Sequence, residues 1–261
     1  MDLGLRDKRA VVTGASRGIG LAITRALASE GVEVVAGARS ASEELTALTA
    51  SGRVHHVVVD LSTAADAVRL VEAAAERGGV DILINNVGAV TQRLGGFLGV
   101  SDEDWLTSLT LNLMAAVRTT RAVLPAMIAA GRGVIVTTSS VNAILPDPTV
   151  IDYSASKAAL SNFCKSLSKE LGPHGIRVNT VSPGPVATDL WLGNDGVAAT
   201  IARSSGGQPA QIAAGAAAQS MTGRFTRPDE VADLVLFLAS DRAANITGAD
   251  FTIDGGLITT I

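Results

Sequence analysis

The feature that most constrains this chain is a repeated order: a short apolar run, a turn, then a stretch of helical periodicity, with no hairpin signal between units. Strands joined through helices pair in parallel, because a parallel pair needs a long crossover where an antiparallel pair can use a tight turn. Ala10-Val11-Val12 opens the series. The runs Val32 to Arg39, Val54 to Val59, Ile82 to Ile84, Val134 to Thr138, Arg177 to Val181 and Asp250 to Ile253 continue it. About seven strands alternating with helices predict an α/β fold, a doubly wound parallel sheet with helices on both faces, forming a single domain over 1–261.

Composition narrows the partners. The 261 residues are 47% hydrophobic and 18% charged, enough for a large core and too apolar for a disordered chain. A net charge of -4 without a basic block argues against nucleic acid. Cys164, the lone cysteine, lies in an apolar-periodic stretch and reads as a buried thiol. His55, His56 and His174 have no metal-ligand spacing, so no metal is expected. No run of about 18 apolar residues and no leader pattern at the N-terminus appear, which predicts a soluble, cytoplasmic protein without a membrane partner.

The first strand runs into Thr13-Gly14-Ala15-Ser16-Arg17-Gly18-Ile19-Gly20, and a helical pattern through Ala22, Ile23, Ala26 and Leu27 follows at once. Strand, glycine turn and helix is the context a dinucleotide pyrophosphate requires: glycines admit the phosphates and the helix N-terminus offers free N–H groups. This is the Rossmann-type arrangement, although the glycine spacing differs from G-x-G-x-x-G. The second strand should end at the adenosine ribose. There the chain offers Ala38 and Arg39 where an NAD site would want an acid, and Arg17 stands in the glycine turn. Two guanidinium groups suit a 2′-phosphate, so NADP(H) is the expected cofactor. Strand ends also place Asp60, Asn86 and Gly88 on the cofactor side.

Tyr153-Ser154-Ala155-Ser156-Lys157 puts a phenol and an ammonium on one helix face. Making a tyrosine useful near neutrality means shifting its pKa of about 10 by roughly three units, about 4 kcal/mol. A cation about 4 Å away supplies that only at the lower dielectric of an enclosed cleft. Taken alone the pair reads as a surface ladder on an amphipathic helix. Asn112, within a helical stretch running from Ser101 toward Ala130, reads locally as a solvent-facing or satisfied amide.

Together these pieces closely resemble the short-chain dehydrogenase/reductase family, in particular its ketoacyl-reductase-like members. The shared motifs are Thr13-Gly14-x-x-x-Gly18-x-Gly20, Asp60, Asn85-Asn86-x-Gly88, Asn112, Ser140, Tyr153-x-x-x-Lys157, Pro183-Gly184 and Asp254-Gly255-Gly256. The resemblance implies a carbonyl carbon that receives hydride from the nicotinamide while Tyr153 gives a proton to its oxygen. It gives Ser140 the role of hydrogen-bonding the same oxygen, with Ser139 as second choice. Lys157 is implied to lower the tyrosine pKa and bind the nicotinamide ribose, and Asn112 to hold a water of the proton relay. The cofactor-binding set so implied is Gly14, Ser16, Arg17, Gly18, Ile19, Gly20, Arg39, Asp60, Leu61, Asn86, Gly88, Tyr153, Lys157, Pro183, Gly184, Val186 and Thr188. Val87 departs from the family, where alanine is usual.

Substrate choice should rest on the segment from Leu190 to Met221, poor in charge and rich in Ala, Gly and Ser, read as a lid over 190–221 built of Ala-rich turns. Its apolar character favours an uncharged or apolar ketone; the alternative is that it only packs on the protein or on a neighbouring subunit. A 3-oxoacyl group on an acidic carrier would need basic residues at the mouth, for which Arg132 and Lys169 are the clearest candidates. The resemblance further implies a homotetramer, with a dimer as alternative. The expected activity is NADPH-dependent reduction of a ketone or 3-oxoacyl carbonyl. The alternatives are an NADP-dependent secondary-alcohol dehydrogenase and a non-catalytic cofactor-binding regulatory protein.

Overall fold

The computed structural model describes residues 2–260. Seven strands, β1 (Arg9–Thr13), β2 (Glu33–Ala38), β3 (Val54–Val58), β4 (Ile82–Asn85), β5 (Gly133–Thr138), β6 (Ile176–Pro183) and β7 (Asp250–Ile253), make one sheet in the order β3-β2-β1-β4-β5-β6-β7. Every pairing is parallel, as the alternation of elements requires.

The strands are apolar on both faces because helices cover both. Val12, Val34 and Ile84 face one layer, formed by α1 (Gly18–Ser29), α2 (Glu43–Thr49) and α10 (Pro228–Ala239). Val11, Val35, Leu83 and Ile135 face the other, formed by α3 (Ala64–Ala75), α5 (Ala115–Ala130) and α6 (Ile151–Leu171), where Leu160, Leu167 and the buried thiol of Cys164 pack. Burial pushes the Cys164 pKa up to about 11, so it behaves as a small apolar group.

Three elements differ from the sequence reading. Helix α2 escapes it: Ser42 caps the helix by accepting from the Leu45 N–H at 3.1 Å, but Leu45 is its only buried residue, too little for periodicity to register. The helical stretch after Ser101 is α4 (Asp102–Leu109), a π turn (Thr110–Met114) and α5, so Asn112 occupies the widened turn. By length and composition Asp102–Ala130 could cross a membrane; in this fold Ala115, Val123 and Met127 seat it on the sheet. Finally, the segment after β6 contains helices rather than turns: α7 (Asp189–Leu192), α8 (Val197–Ser205) and α9 (Pro209–Ala218). Alanine is the strongest helix former, and Gly206 (φ 71°) ends α8 just before Pro209 starts α9.

The strand order reverses between β1 and β4, which opens a crevice at the carboxyl ends of the strands.

Candidate active site

At the head of the crevice, Thr13 ties β1 to β4. Its hydroxyl donates to the Ile84 carbonyl (3.3 Å) and accepts from the N–H groups of Asn86 (2.8 Å) and Val87 (3.1 Å). Gly14 turns the chain with φ 67°. A Cβ at Gly20 would stand 2.2 Å from the Gly14 carbonyl oxygen and 2.5 Å from Asn86 Nδ2, so no larger residue fits. Helix α1 then begins at Gly18 behind an extended Arg17, with no side-chain cap. Its first N–H groups, at Gly18, Ile19 and Gly20, are left to face an anion, and Ser16 sits in the same turn. Thr188, two residues beyond the buried Val186, packs its methyl over Gly18, bringing the Pro183-Gly184 turn to the start of α1. Val87 leans its methyls on Gly14, which accounts for the space its departure from alanine occupies.

Beyond the glycine turn lies a cleft of about 350 Å³ lined by Arg39, Asp60, Ser62, Glu103, Leu106, Thr107, Thr110 and Leu111. The backbone N–H and hydroxyl of Ser62 hold the Asp60 carboxyl below the usual carboxylate range, with the positive field of Arg39 assisting. Arg39 stands exposed just beyond β2, with Asp60 as its acidic neighbour in the cleft. Leu61 is 4% exposed and belongs to the core, so only its backbone can face a ligand. The uncapped helix start, the glycine that nothing else could replace and the Arg39 cleft fit a dinucleotide.

At the far side, β5 delivers Ser139 and Ser140, and α6 delivers Tyr153 and Lys157. The two serines separate cleanly. Ser139 Oγ is buried and bonded to Ser161 Oγ at 2.6 Å, committed to α6. Ser140 turns the other way: it caps a short 3-10 turn by accepting from the Asn142 N–H (3.1 Å), donates to Asn142 Oδ1 (3.2 Å) and stands beside the Tyr153 phenol.

Lys157 is 3% exposed and donates to the Thr138 carbonyl at 2.8 Å, with Nζ 5.7 Å from the centroid of the Tyr153 ring. Burial lowers its pKa to about 8. The resemblance implied that Lys157 lowers the tyrosine pKa, but it is not among the groups that shift the phenol here. Burial raises the half-buried phenol above its ordinary value, and only the Ser140 hydroxyl acts the other way. No field from Lys157 offsets that burial, since its Nζ is turned to the Thr138 carbonyl.

Asn112, 1% exposed, accepts from the Ala89 N–H (2.9 Å) and donates to the Ala89 carbonyl (2.9 Å) and the Ser108 carbonyl (3.0 Å). Its side chain is thus a clamp on the loop after β4. A Cβ at Gly88 would come 2.9 Å from Asn112 Oδ1 and 3.3 Å from Lys157 Nζ, so Gly88 is where the two approach each other.

Two groups near the site went unnoticed in the sequence. Arg93, in the loop after Ala89, binds Asp152 at 2.6 Å and Asp104 at 2.8 Å, and its N–H reaches the Thr149 carbonyl at 2.6 Å. It pins that loop to the first turn of α6, next to Tyr153. Asn142 is the other. Asp152 stands immediately before the tyrosine, but no spacing rule connects it to an arginine 59 positions away. Conversely, Arg132 and Lys169 do not flank the mouth. Arg132 precedes β5 and pairs with Asp81 at 3.6 Å, and Lys169 ends α6, so both lie at the opposite pole from Tyr153. Among the described residues no cluster of His, Cys, Asp or Glu could hold a metal.

A nucleotide cradle at one end of the crevice and a Ser, Tyr and Lys group at the other define an oxidoreductase that works on carbonyl or alcohol carbon. A family model described as enoyl-(acyl carrier protein) reductase matches residues 14–258. The 3-oxoacyl-[acyl-carrier-protein] reductase FabG of Escherichia coli (strain K12) is 37% identical over 258 residues, covering 98% of this chain and 99% of its own. FabG of Thermotoga maritima is 34% identical over 260 residues, covering 97% and 99%. A crystal structure of L-sorbose reductase from Gluconobacter frateurii, complexed with NADPH and L-sorbose, superposes with a TM-score of 0.91 at 35% identity over 100% of both chains. The chain belongs to the short-chain dehydrogenase/reductase family.

Proposed function

We propose that this protein is an NADPH-dependent reductase that converts a small, free ketone to a secondary alcohol. The observation that carries the reading is the convergence of Ser140, Tyr153 and Lys157 at the ends of β5 and α6, facing the glycine turn across the crevice. When bound, NADPH supplies the hydride that forms the new C–H bond at the carbonyl carbon. As the C=O π bond breaks, its electron pair moves to oxygen, and the Tyr153 phenol proton forms the new O–H bond there. Ser140 donates to the same oxygen, a hydrogen bond that strengthens as negative charge grows. A phenol whose pKa burial raises holds its proton through the neutral range, which favours the reductive direction.

Arg17 and Arg39 would take the 2′-phosphate; the turn Gly14, Ser16, Gly18, Ile19 and Gly20 the pyrophosphate; Asp60 and the Leu61 backbone the adenosine end. Asn86, Gly88, Lys157, Pro183, Gly184, Val186 and Thr188 would surround the nicotinamide riboside. Asn112 acts by holding Ala89, and with it the loop that faces Lys157. The segment 190–221 serves as the lid of a single domain, its exposed Leu190, Leu192 and Met221 available to close over substrate. A free ketone is preferred over a carrier-bound chain because Arg132 and Lys169 lie at the wrong pole to dock an acidic carrier. We place the enzyme in the cytoplasm as a homotetramer; the exposed Leu98, just before α4, and Ile128 on α5 support burial between subunits.

The test is NADPH oxidation against uncharged ketones of graded size, with a crystal structure of the NADPH complex. Turnover of small ketones is expected, and absence of turnover with every carbonyl offered would overturn the proposal.

A further inference from the structure

The hydroxyl of Ser140 has one proton to give, and in the folded protein Asn142 Oδ1 is an acceptor within its reach, beside the Tyr153 phenol. Ser140 Oγ and Asn142 Oδ1 are 3.2 Å apart, and the Ser140 oxygen accepts from the Asn142 N–H at 3.1 Å. The orientation of the Asn142 amide is fixed from its other end, because the Leu145 carbonyl at 3.4 Å requires Nδ2 as donor and leaves Oδ1 facing Ser140. Ketone reduction as proposed above needs the Ser140 proton on the substrate oxygen. Supplying it strips Asn142 Oδ1 of its donor, in a half-buried position one hydrogen bond from the reacting atoms. An acceptor left unpaired on binding is a penalty unless the substrate brings a donor of its own.

A hydroxyl on the carbon next to the carbonyl is such a donor. The carbonyl oxygen would sit within hydrogen-bonding distance of Ser140 Oγ, and Asn142 Oδ1 is 3.2 Å from that same Oγ, so a group one carbon away is within reach.

We infer that Asn142 is a specificity-determining residue that exchanges its hydrogen bond from Ser140 for one from an α-hydroxyl, making α-hydroxy ketones the substrate class. This rests on the ketone-reductase reading and sharpens it, replacing the apolar substrate that the composition of the 190–221 segment suggested with one polar beside the reacting carbon.

The test compares hydroxyacetone with methoxyacetone, which keeps the electron-withdrawing oxygen but has no proton to give, in the NADPH-supplied full-length enzyme. In wild type kcat/KM should favour hydroxyacetone by roughly tenfold, the low end of the range for an acceptor left unpaired, because Asn142 is only half-buried. Asn142→Leu should bring that ratio close to one, and Asn142→Asp, which keeps an acceptor oxygen, should retain most of it. Loss of Ser140 positioning would lower both substrates together and cancel in the ratio. A ratio near one in wild type, a ratio that survives Asn142→Leu, or an Asn142→Asp ratio as low as that of Asn142→Leu would overturn the assignment while leaving the reductase reading intact. No turnover of either ketone, or of any other, overturns both.

Discussion

Around Lys157 the protein spends hydrogen bonds: Ser139 on Ser161, Lys157 on Thr138, Asn112 on Ala89 and Ser108, all with less than a tenth of their surface exposed. From Asp189 to Ala218 the side-chain bonds, made by Arg203, Ser204 and Ser205, are exposed and reach only nearby residues. There α8 seats Val197, Ala198, Ala199 and Ala202, α9 has no buried residue, and the Arg203–Asp195 pair at 3.4 Å is solvent-exposed. Exposed pairs of this kind contribute about 0–1 kcal/mol. The contrast sets a rigid region around the proposed reacting groups against a segment of low local stability, as the proposed lid requires.

Substitutions in the bonded region should therefore have the larger effects. Tyr153→Phe removes the proton donor and keeps the ring, so kcat for ketone reduction should fall by about 10²–10⁴-fold, as for loss of a general acid. NADPH binding, followed by cofactor fluorescence, should survive. Wild-type turnover in this variant would mean that the proton comes from elsewhere.

Arg93→Met breaks an ion cluster whose Asp152 side chain is 2% exposed. Leaving that carboxylate without its cation should cost about 3–5 kcal/mol in urea unfolding. A loss under about 1 kcal/mol, the size expected for a surface pair, would show that the loop after Ala89 is not part of the rigid region. Arg39→Asp tests the cofactor end, where the side chain is exposed and stability should not move. The preference for NADPH over NADH should fall by roughly ten- to hundredfold, about the worth of one charge-assisted hydrogen bond. An unchanged preference would remove Arg39 from the 2′-phosphate site.

Lys157 shows that the rigid region also carries cost. Burial lowers its pKa to about 8, so between that and the ordinary lysine value the unfolded chain binds more protons than the folded one, and stability rises with pH. Below about pH 8 the penalty for the buried ammonium is fully present. Lys157→Met should therefore stabilise the cofactor-free protein at neutral pH by about 1–3 kcal/mol, with the gain fading as pH rises through that window. Affinity for NADPH should fall. A variant less stable than wild type at pH 7 would mean that the bond to Thr138 outweighs desolvation.

Much of this was legible in the chain because parallel strands covered on both faces write themselves as apolar runs, and because the turn at Gly14, Gly18 and Gly20 and the Tyr153–Lys157 spacing are local patterns. The location of Arg132 and Lys169 could also have been read: a residue before a strand or at the end of α6 lies opposite the carboxyl ends where the site must be. What stayed hidden is chemistry between residues distant in sequence, such as Arg93 with Asp152, and conformations set by packing, such as the π turn at Asn112. The sign of the Tyr153 shift was hidden for a related reason. Spacing reports that a lysine is near, but the balance between its field and desolvation depends on how deeply both are buried.

The smallest effect on stability should come from the segment after β6. Leu192 and Met221 are 51% and 73% exposed, so truncating either to alanine removes little buried surface. Chemical unfolding of Leu192→Ala and Met221→Ala should stay within about 0.5 kcal/mol of wild type, where truncation of a core leucine costs about 2–5 kcal/mol. If the segment closes over substrate, the same changes should raise KM a fewfold and leave kcat nearly unaltered, since the contacts they remove form on binding and are kept in the transition state. A stability loss of core size would mean that these side chains are buried in the assembled protein, and that the segment is an interface between subunits rather than a moving cover.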